Sequence, residues 1–265
     1  MVALLHGLHS SKEELAFIAA GLKRSGVSHQ LIELKGYTAN QPLNSTTPHV
    51  SWRFWLNELV AKLRDLEALH GSVLLTGISS GANLSIAAAL EAPETLAGVI
   101  PLSTSIFLDG WSVPWYSFLL PLAYYTPLGR LWTYKESPPY GVKDERIRTW
   151  IARELATRGV SATGNSSIPN EYLRENHRLR SWLRKRLRKD VPYLPILAIQ
   201  AKEDELTSTK NIQYLEQNWP SMHFNQLTLE DSYHMICIDR ERAKVTDAII
   251  QFALSIANES NTNDN

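Results

Sequence analysis

Gly77-Ile78-Ser79-Ser80-Gly81 constrains this chain more than any other stretch. It fits the pattern G-x-S-x-G. An apolar run, Ser72-Val73-Leu74-Leu75-Thr76, precedes it and reads as a short buried strand. Ala82 to Leu90 follows and reads as a helix. A strand, a tight glycine turn and a helix make a nucleophile elbow, in which the central serine hydroxyl stands free at the top of a sheet. The glycines are needed because the turn is strained and the helix passes close to the strand, where a Cβ would clash.

The rest of the chain suits such a frame. It has 265 residues, 44% hydrophobic and 20% charged, which predicts one domain carrying an insertion. Lys and Arg number 27, as do Asp and Glu, so no overall field draws in nucleic acid or an anionic membrane. The single cysteine, Cys237, cannot form an internal disulfide, which is compatible with a reducing cytoplasm. Met1-Val2-Ala3-Leu4-Leu5 has no basic lead of the kind a secretory signal carries. The longest apolar run, Val113 to Leu128, is broken by Pro114, Pro121 and Pro127, too short and interrupted for a membrane span.

Hydrophobic periodicity supplies the order of elements. Strands are expected at Val2–Leu5, His29–Leu34, Leu96–Leu102, Ile196–Gln200 and Phe224–Leu229, besides the elbow strand. Helices are expected at Ser11–Lys23, Trp52–Leu69 and Ala243–Ala257, and a loop from Tyr37 to Val50. Strands alternating with helices predict an α/β fold, a mostly parallel sheet flanked by helices on both faces. Residues 1–102 and 191–257 are the two parts of that core. Residues 103–190 break the rhythm and are expected to form a helical lid over the sheet, with a helical stretch from Lys143 to Arg158. Residues 258–265 are expected to be a disordered tail. The aromatics of the insertion, Trp111, Trp115, Tyr116, Phe118, Tyr124, Tyr125, Trp132 and Tyr134, read first as lid core and second as an acyl pocket. A basic run from Arg178 to Lys189 carries Leu179, Leu183 and Leu187 at a four-residue spacing. It reads as one buried stripe on a helix with a solvated basic face, and alternatively as a site for an anionic substrate.

A nucleophilic serine needs a base, an orienting carboxylate and donors for the oxyanion. With an elbow of this kind the chain order is serine, acid, histidine. The acids after Ser79 at a strand end are Glu203, Asp204 and Glu205. The histidines beyond them are His223 and His234; His234 follows the last strand and can reach back, whereas His223 precedes it. One oxyanion donor is the backbone N–H of Ser80, and the other is expected at Leu8 in the turn after the first strand. His6 and His9 read as turn structure. Ser80 is off the central position of the pattern, and Cys237, between Ile236 and Ile238, reads as a buried structural cysteine. No metal-ligand spacing and no phosphate loop are apparent, so no metal and no cofactor are expected.

At these residues the chain resembles the α/β-hydrolase superfamily and, more narrowly, bacterial carboxylesterases of the monoacylglycerol-lipase type. The likeness runs through Leu4-Leu5-His6-Gly7-Leu8, Gly77 to Gly81, Gln200 to Leu206, and Ser232 to Asp239. It assigns the acid to Asp204 and the base to His234. It implies hydrolysis of carboxylic esters through an acyl-enzyme, without a cofactor, beneath a lid that forms part of the acyl site. The chain starts almost at the first core strand, so either the sheet is shorter than the superfamily's full form or the start is trimmed. The substrate expected is a short- to medium-chain acyl ester; the alternative, suggested by the basic run, is an acyl thioester handled by a thioesterase or acyltransferase. Because the base must be neutral, activity is expected to fall on acidification through roughly pH 6–7.

Overall fold

The computed structural model describes residues 1–39, 51–126, 133–135, 137–158, 160–161, 164–165, 167–219 and 224–263. The first half of the chain alternates as β1 (Val2–Leu5), α1 (Ala16–Arg24), β2 (His29–Ile32), α2 (Trp52–His70), β3 (Leu74–Ile78), α3 (Ser80–Glu91) and β4 (Gly98–Leu102). A long connection follows, with α4 (Leu120–Tyr125), β5 (Thr133–Lys135), α5 (Glu145–Arg158), β6 (Val160–Ser161), β7 (Gly164–Asn165), β8 (Ser167–Pro169) and α6 (Asn170–Arg186). The chain then returns as β9 (Ile196–Ala201), α7 (Lys210–Asn218), β10 (Phe224–Leu229) and α8 (Arg242–Asn263).

Six strands form one sheet in the order β10-β9-β4-β3-β1-β2, and every pairing in it is parallel. Side chains alternate across a strand, and here both faces are apolar, as a sheet covered on both sides requires. Ala3, Leu5, Leu75, Val99 and Ile196 pack into one core with residues of α2, α3, α6 and α7. Val2, Leu4, Leu74, Ile100 and Leu102 pack into the other with residues of α1 and α8. The chain is thus an α/β-hydrolase fold.

Several boundaries differ from those the sequence predicts. The elbow strand ends at Ile78 and α3 begins at Ser80, so the turn is tighter than the spacing suggests. The first helix opens with a 3-10 turn over Lys12–Leu15 before α1 proper. The last helix runs to Asn263, through residues expected to fray, since no Gly or Pro interrupts it after Ala257. Most of the expected loop 37–50 lies outside the described residues, as do Trp132 and His223. Among the described residues no helix is long and apolar enough to cross a membrane.

The connection between β4 and β9 departs most from expectation. Its aromatics are expected first as lid core, yet Trp111, Trp115, Tyr116, Phe118 and Tyr125 are all more than half exposed. Among the described members of that group Tyr124 alone is buried. The reason is local: Trp115–Leu119 is a 3-10 turn with no buried residue, so consecutive aromatics fan outward in place of sharing one inner face. The basic run behaves as expected along one stripe, with Leu179, Leu183 and Leu187 fully buried. Its basic face is not wholly solvated, however, because Arg180 is only 7% exposed.

Candidate active site

An all-parallel sheet brings the loops that follow its strands to one edge, and sites in such folds lie there, where the strand order reverses. Here the reversal falls between β1 and β3. The loops after β1, β3, β9 and β10 carry Leu8, Ser79, Asp204 and His234 respectively.

Ser79 sits between β3 and α3 with φ 56° and ψ −116°, a left-handed conformation that costs a non-glycine residue on the order of 1–3 kcal/mol. Two glycines enforce it. A Cβ on Gly77 would lie 2.3 Å from the Gly81 carbonyl oxygen, and one on Gly81 would lie 2.3 Å from that of His6. Helix, strand and the turn after β1 are therefore packed backbone to backbone. The Ser79 N–H donates to the Leu102 carbonyl at 2.9 Å, which fixes the turn against β4.

From this turn a hydrogen-bonded line crosses the site. The Ser79 Oγ lies 2.8 Å from His234 Nε2, and His234 Nδ1 lies 2.8 Å from Asp204 Oδ2. His234 and Asp204 are 3% and 2% exposed, so solvent does not compete for the contact between them, whereas Ser79 is half-buried and open to the site. The three acids named from the sequence separate cleanly. Asp204 meets the imidazole. Glu203 is at the surface, paired with Lys143 at 2.7 Å. Glu205 is buried and its Oε2 accepts the His234 backbone N–H at 3.0 Å.

The sequence reading missed the residues that hold this line in place. Asp204 Oδ1 accepts the N–H groups of Leu206 and Thr207, and Oδ2 accepts the Thr207 hydroxyl and the Gln200 amide. Gln200 was legible in principle, as the one polar residue in the otherwise apolar strand Ile196–Ala201. Ser103, at φ 44°, donates its hydroxyl to the His234 carbonyl at 2.6 Å. Glu14 is buried beneath the turn after β1 and accepts the Gly7 N–H at 2.7 Å. Nothing in its amphipathic surroundings distinguishes it from a surface glutamate.

Electrostatically, the site is a histidine among carboxylates. Burial alone disfavours a charged His234, but Asp204, then Glu205 and Glu14, outweigh it and push the imidazole up to about 9. This is well above the neutral-range titration expected from sequence, because three buried acids converge on one ring. Glu14 itself is pushed up to about 7 by its burial, against the Gly7 N–H bond that favours its charge.

The other residues singled out fall into place. Ser80 turns its hydroxyl to Asn176 of α6 at 3.0 Å, whereas Ser79 is the serine that meets His234. The Ser80 N–H lies in the first turn of α3, whose amides are not used within the helix and form the positive end of the helix dipole. The turn Leu8 belongs to rests against that first turn, and among the described residues the Leu8 N–H has no partner. His6 is buried, with Nδ1 2.7 Å from the Gly7 carbonyl and Nε2 2.8 Å from the Thr38 hydroxyl, and desolvation lowers it to about 4. It is a neutral structural residue of the turn. Cys237 is buried and its thiol is pushed up by burial. No cluster that could hold a metal occurs among the described residues.

An oriented serine, a buried base and free amides beside them can activate a hydroxyl and receive a developing negative charge. Known proteins agree with that chemistry. The sequence pattern of Hydrolase_4, described as serine aminopeptidase, S33, matches residues 1–241. A thermostable monoacylglycerol lipase of Bacillus sp. (strain H-257) is 21% identical over 252 residues, covering 95% of this chain and 89% of its own. Among solved structures, monoacylglycerol lipase of Paleococcus ferrophilus superposes with a TM-score of 0.74 at 16% identity, covering 96% of this chain and 94% of that one. A soluble variant of monoglyceride lipase from Saccharomyces cerevisiae gives 0.76 at 14% identity, with 95% and 84% covered. The chain therefore belongs to the Hydrolase_4 family and is a serine hydrolase of the lipase and esterase type.

Proposed function

We propose that this enzyme cleaves carboxylic esters of short- to medium-chain acyl groups through an acyl-enzyme, with Ser79, His234 and Asp204 as its catalytic triad. His234 takes the Ser79 proton as the hydroxyl attacks the ester carbonyl. Asp204 holds the imidazole and stabilises the imidazolium that forms. The N–H groups of Ser80 and Leu8 receive the tetrahedral oxyanion. His234 then returns its proton to the departing alcohol, and water repeats the sequence on the acyl-enzyme. No step draws on a cofactor.

The observation that carries this reading is the unbroken line from Ser79 Oγ to His234 to Asp204, 2.8 Å at each step. The connection between β4 and β9 serves as the lid, since its Asn176 reaches the residue after the nucleophile. Monoacylglycerol lipases among the relatives make a glycerol monoester the first substrate to try. The relatives favour an ester over a thioester. The cytoplasm remains the compartment this reading assigns, in keeping with a fold that needs no disulfide.

Hydrolysis of p-nitrophenyl esters across acyl lengths tests it, wild type beside Ser79→Ala. A signal lost in Ser79→Ala and peaking at one length is expected. A signal that survives Ser79→Ala, or that keeps rising to the longest chains, refutes it.

A further inference from the structure

Along α6, the loop after β4 and α4 line a half-open cavity of about 300 Å³ that Phe107, Asp109, Tyr124, His177, Arg180 and Arg184 face, among others. Its charge is unusual. Arg180 is 7% exposed, its Nε has no hydrogen-bond partner, and neither Arg180 nor Arg184 is in an ion pair among the described residues. Arg184 uses its guanidinium only on neutral groups, the Ile106 carbonyl and the Ser181 hydroxyl. The acid at the cavity, Asp109, spends its carboxylate on Ser208 and Asn211. The buried carboxylate of the same helix, Glu175, is taken by Arg174 and Arg178.

A buried guanidinium without an anion carries a desolvation cost that folding alone does not reward. Guanidinium groups are the side chains best matched to carboxylate and phosphate, which they bind in a planar fork. Position links the cavity to the reaction site. Asn176, Arg180 and Arg184 succeed one another at one-turn intervals on α6, and Asn176 is bonded to Ser80 beside the nucleophile. The two arginines are thus one and two turns along the helix from that contact, about 6 and 12 Å. An acyl group of medium length spans that interval.

We propose that this cavity is an anion subsite, in which Arg180 and Arg184 take the carboxylate or phosphate at the far end of an ester whose carbonyl lies at Ser79. The proposal rests on the serine-esterase reading above and narrows it, from an uncharged ester to one bearing an anionic group.

Two measurements test it, with Arg180→Met as the variant. Replacing an uncompensated buried charge by an apolar chain of similar reach leaves the fold intact. The first is the thermal midpoint of wild type and variant with sodium phosphate, sodium acetate or sodium chloride at matched ionic strength. Phosphate or acetate is expected to raise the wild-type midpoint above chloride by more than it raises that of Arg180→Met, since general salt exclusion acts on both alike; the larger excess identifies the preferred anion. Equal responses of the two proteins overturn the site, whatever the enzyme hydrolyses.

The second compares kcat/KM for a mono-p-nitrophenyl ester of a dicarboxylic acid with that of the uncharged alkanoate of equal length. The ratio of charged to uncharged ester is expected to fall at least tenfold in Arg180→Met. A ratio within twofold of wild type overturns the link to substrate. Arg180-dependent anion binding without any Ser79-dependent hydrolysis leaves the site standing and removes the esterase reading instead.

Discussion

On the mechanism proposed above, the proton on His234 governs when Ser79 can react. Asp204, Glu205 and Glu14 push its imidazole up to about 9, against about 6.5 for an unperturbed histidine. That difference is worth about 3 kcal/mol in favour of the imidazolium. Only the neutral ring accepts the Ser79 proton, so the active fraction rises with pH through the raised value. At pH 7 about one molecule in a hundred has a neutral His234, and at pH 8 about one in ten. The expected profile of kcat/KM therefore climbs about tenfold per pH unit from pH 6 to 8, bends near pH 9 and levels only by about pH 10. An unperturbed histidine levels by about pH 7.5. The assay is initial-rate hydrolysis of a short p-nitrophenyl ester, with the Ser79→Ala rate subtracted at each pH. Glu205→Gln keeps an acceptor for the His234 N–H but removes a charge, so its inflection is expected below that of wild type. A wild-type plateau already reached at pH 7.5, or an inflection that Glu205→Gln does not lower, refutes the account of converging carboxylates.

Three further outcomes follow from the packing. Ser79→Gly and Ser79→Ala are both expected to abolish turnover, but glycine relieves the strain at φ 56° that alanine retains; the glycine variant is expected to be about 1–2 kcal/mol more stable, some 2–8 °C in thermal midpoint. Gly81→Ala forces a Cβ to 2.3 Å from the His6 carbonyl oxygen, so loss of both activity and several degrees of midpoint is expected, and an unchanged variant contradicts the close contact. Glu14 has its folded value raised to about 7 from 4.5, so the native state holds its proton more tightly than the unfolded chain. Stability from this group is full below about pH 4.5 and declines as pH rises through about 7, by about 3 kcal/mol; in urea titrations at pH 5 and 8, Glu14→Gln is expected to remove that decline.

Local pattern determined a good deal here. Five residues, Gly77 to Gly81, specify an elbow because only glycine allows backbone carbonyls to approach as closely as those of Gly81 and His6 do. Alternation of apolar strands and amphipathic helices specifies a covered parallel sheet, and a parallel sheet then dictates that residues after its strands share one edge. That is why Asp204 and His234 could be named at 30 residues apart in sequence. What pattern could not supply was long-range placement. Whether an aromatic such as Trp115 packs inward or faces water depends on what lies opposite it, and no periodicity encodes that. Glu14 looks like an ordinary surface acid in the sequence, and Glu205 is there only one of three adjacent candidate acids; folding alone buries both and lets them act on the His234 imidazole. The same holds for Arg180. Its neighbours in sequence are solvated bases, and only the packing of α6 against α3 and α4 leaves its guanidinium dry and without a carboxylate, because burial is a property of the surroundings and not of the residue.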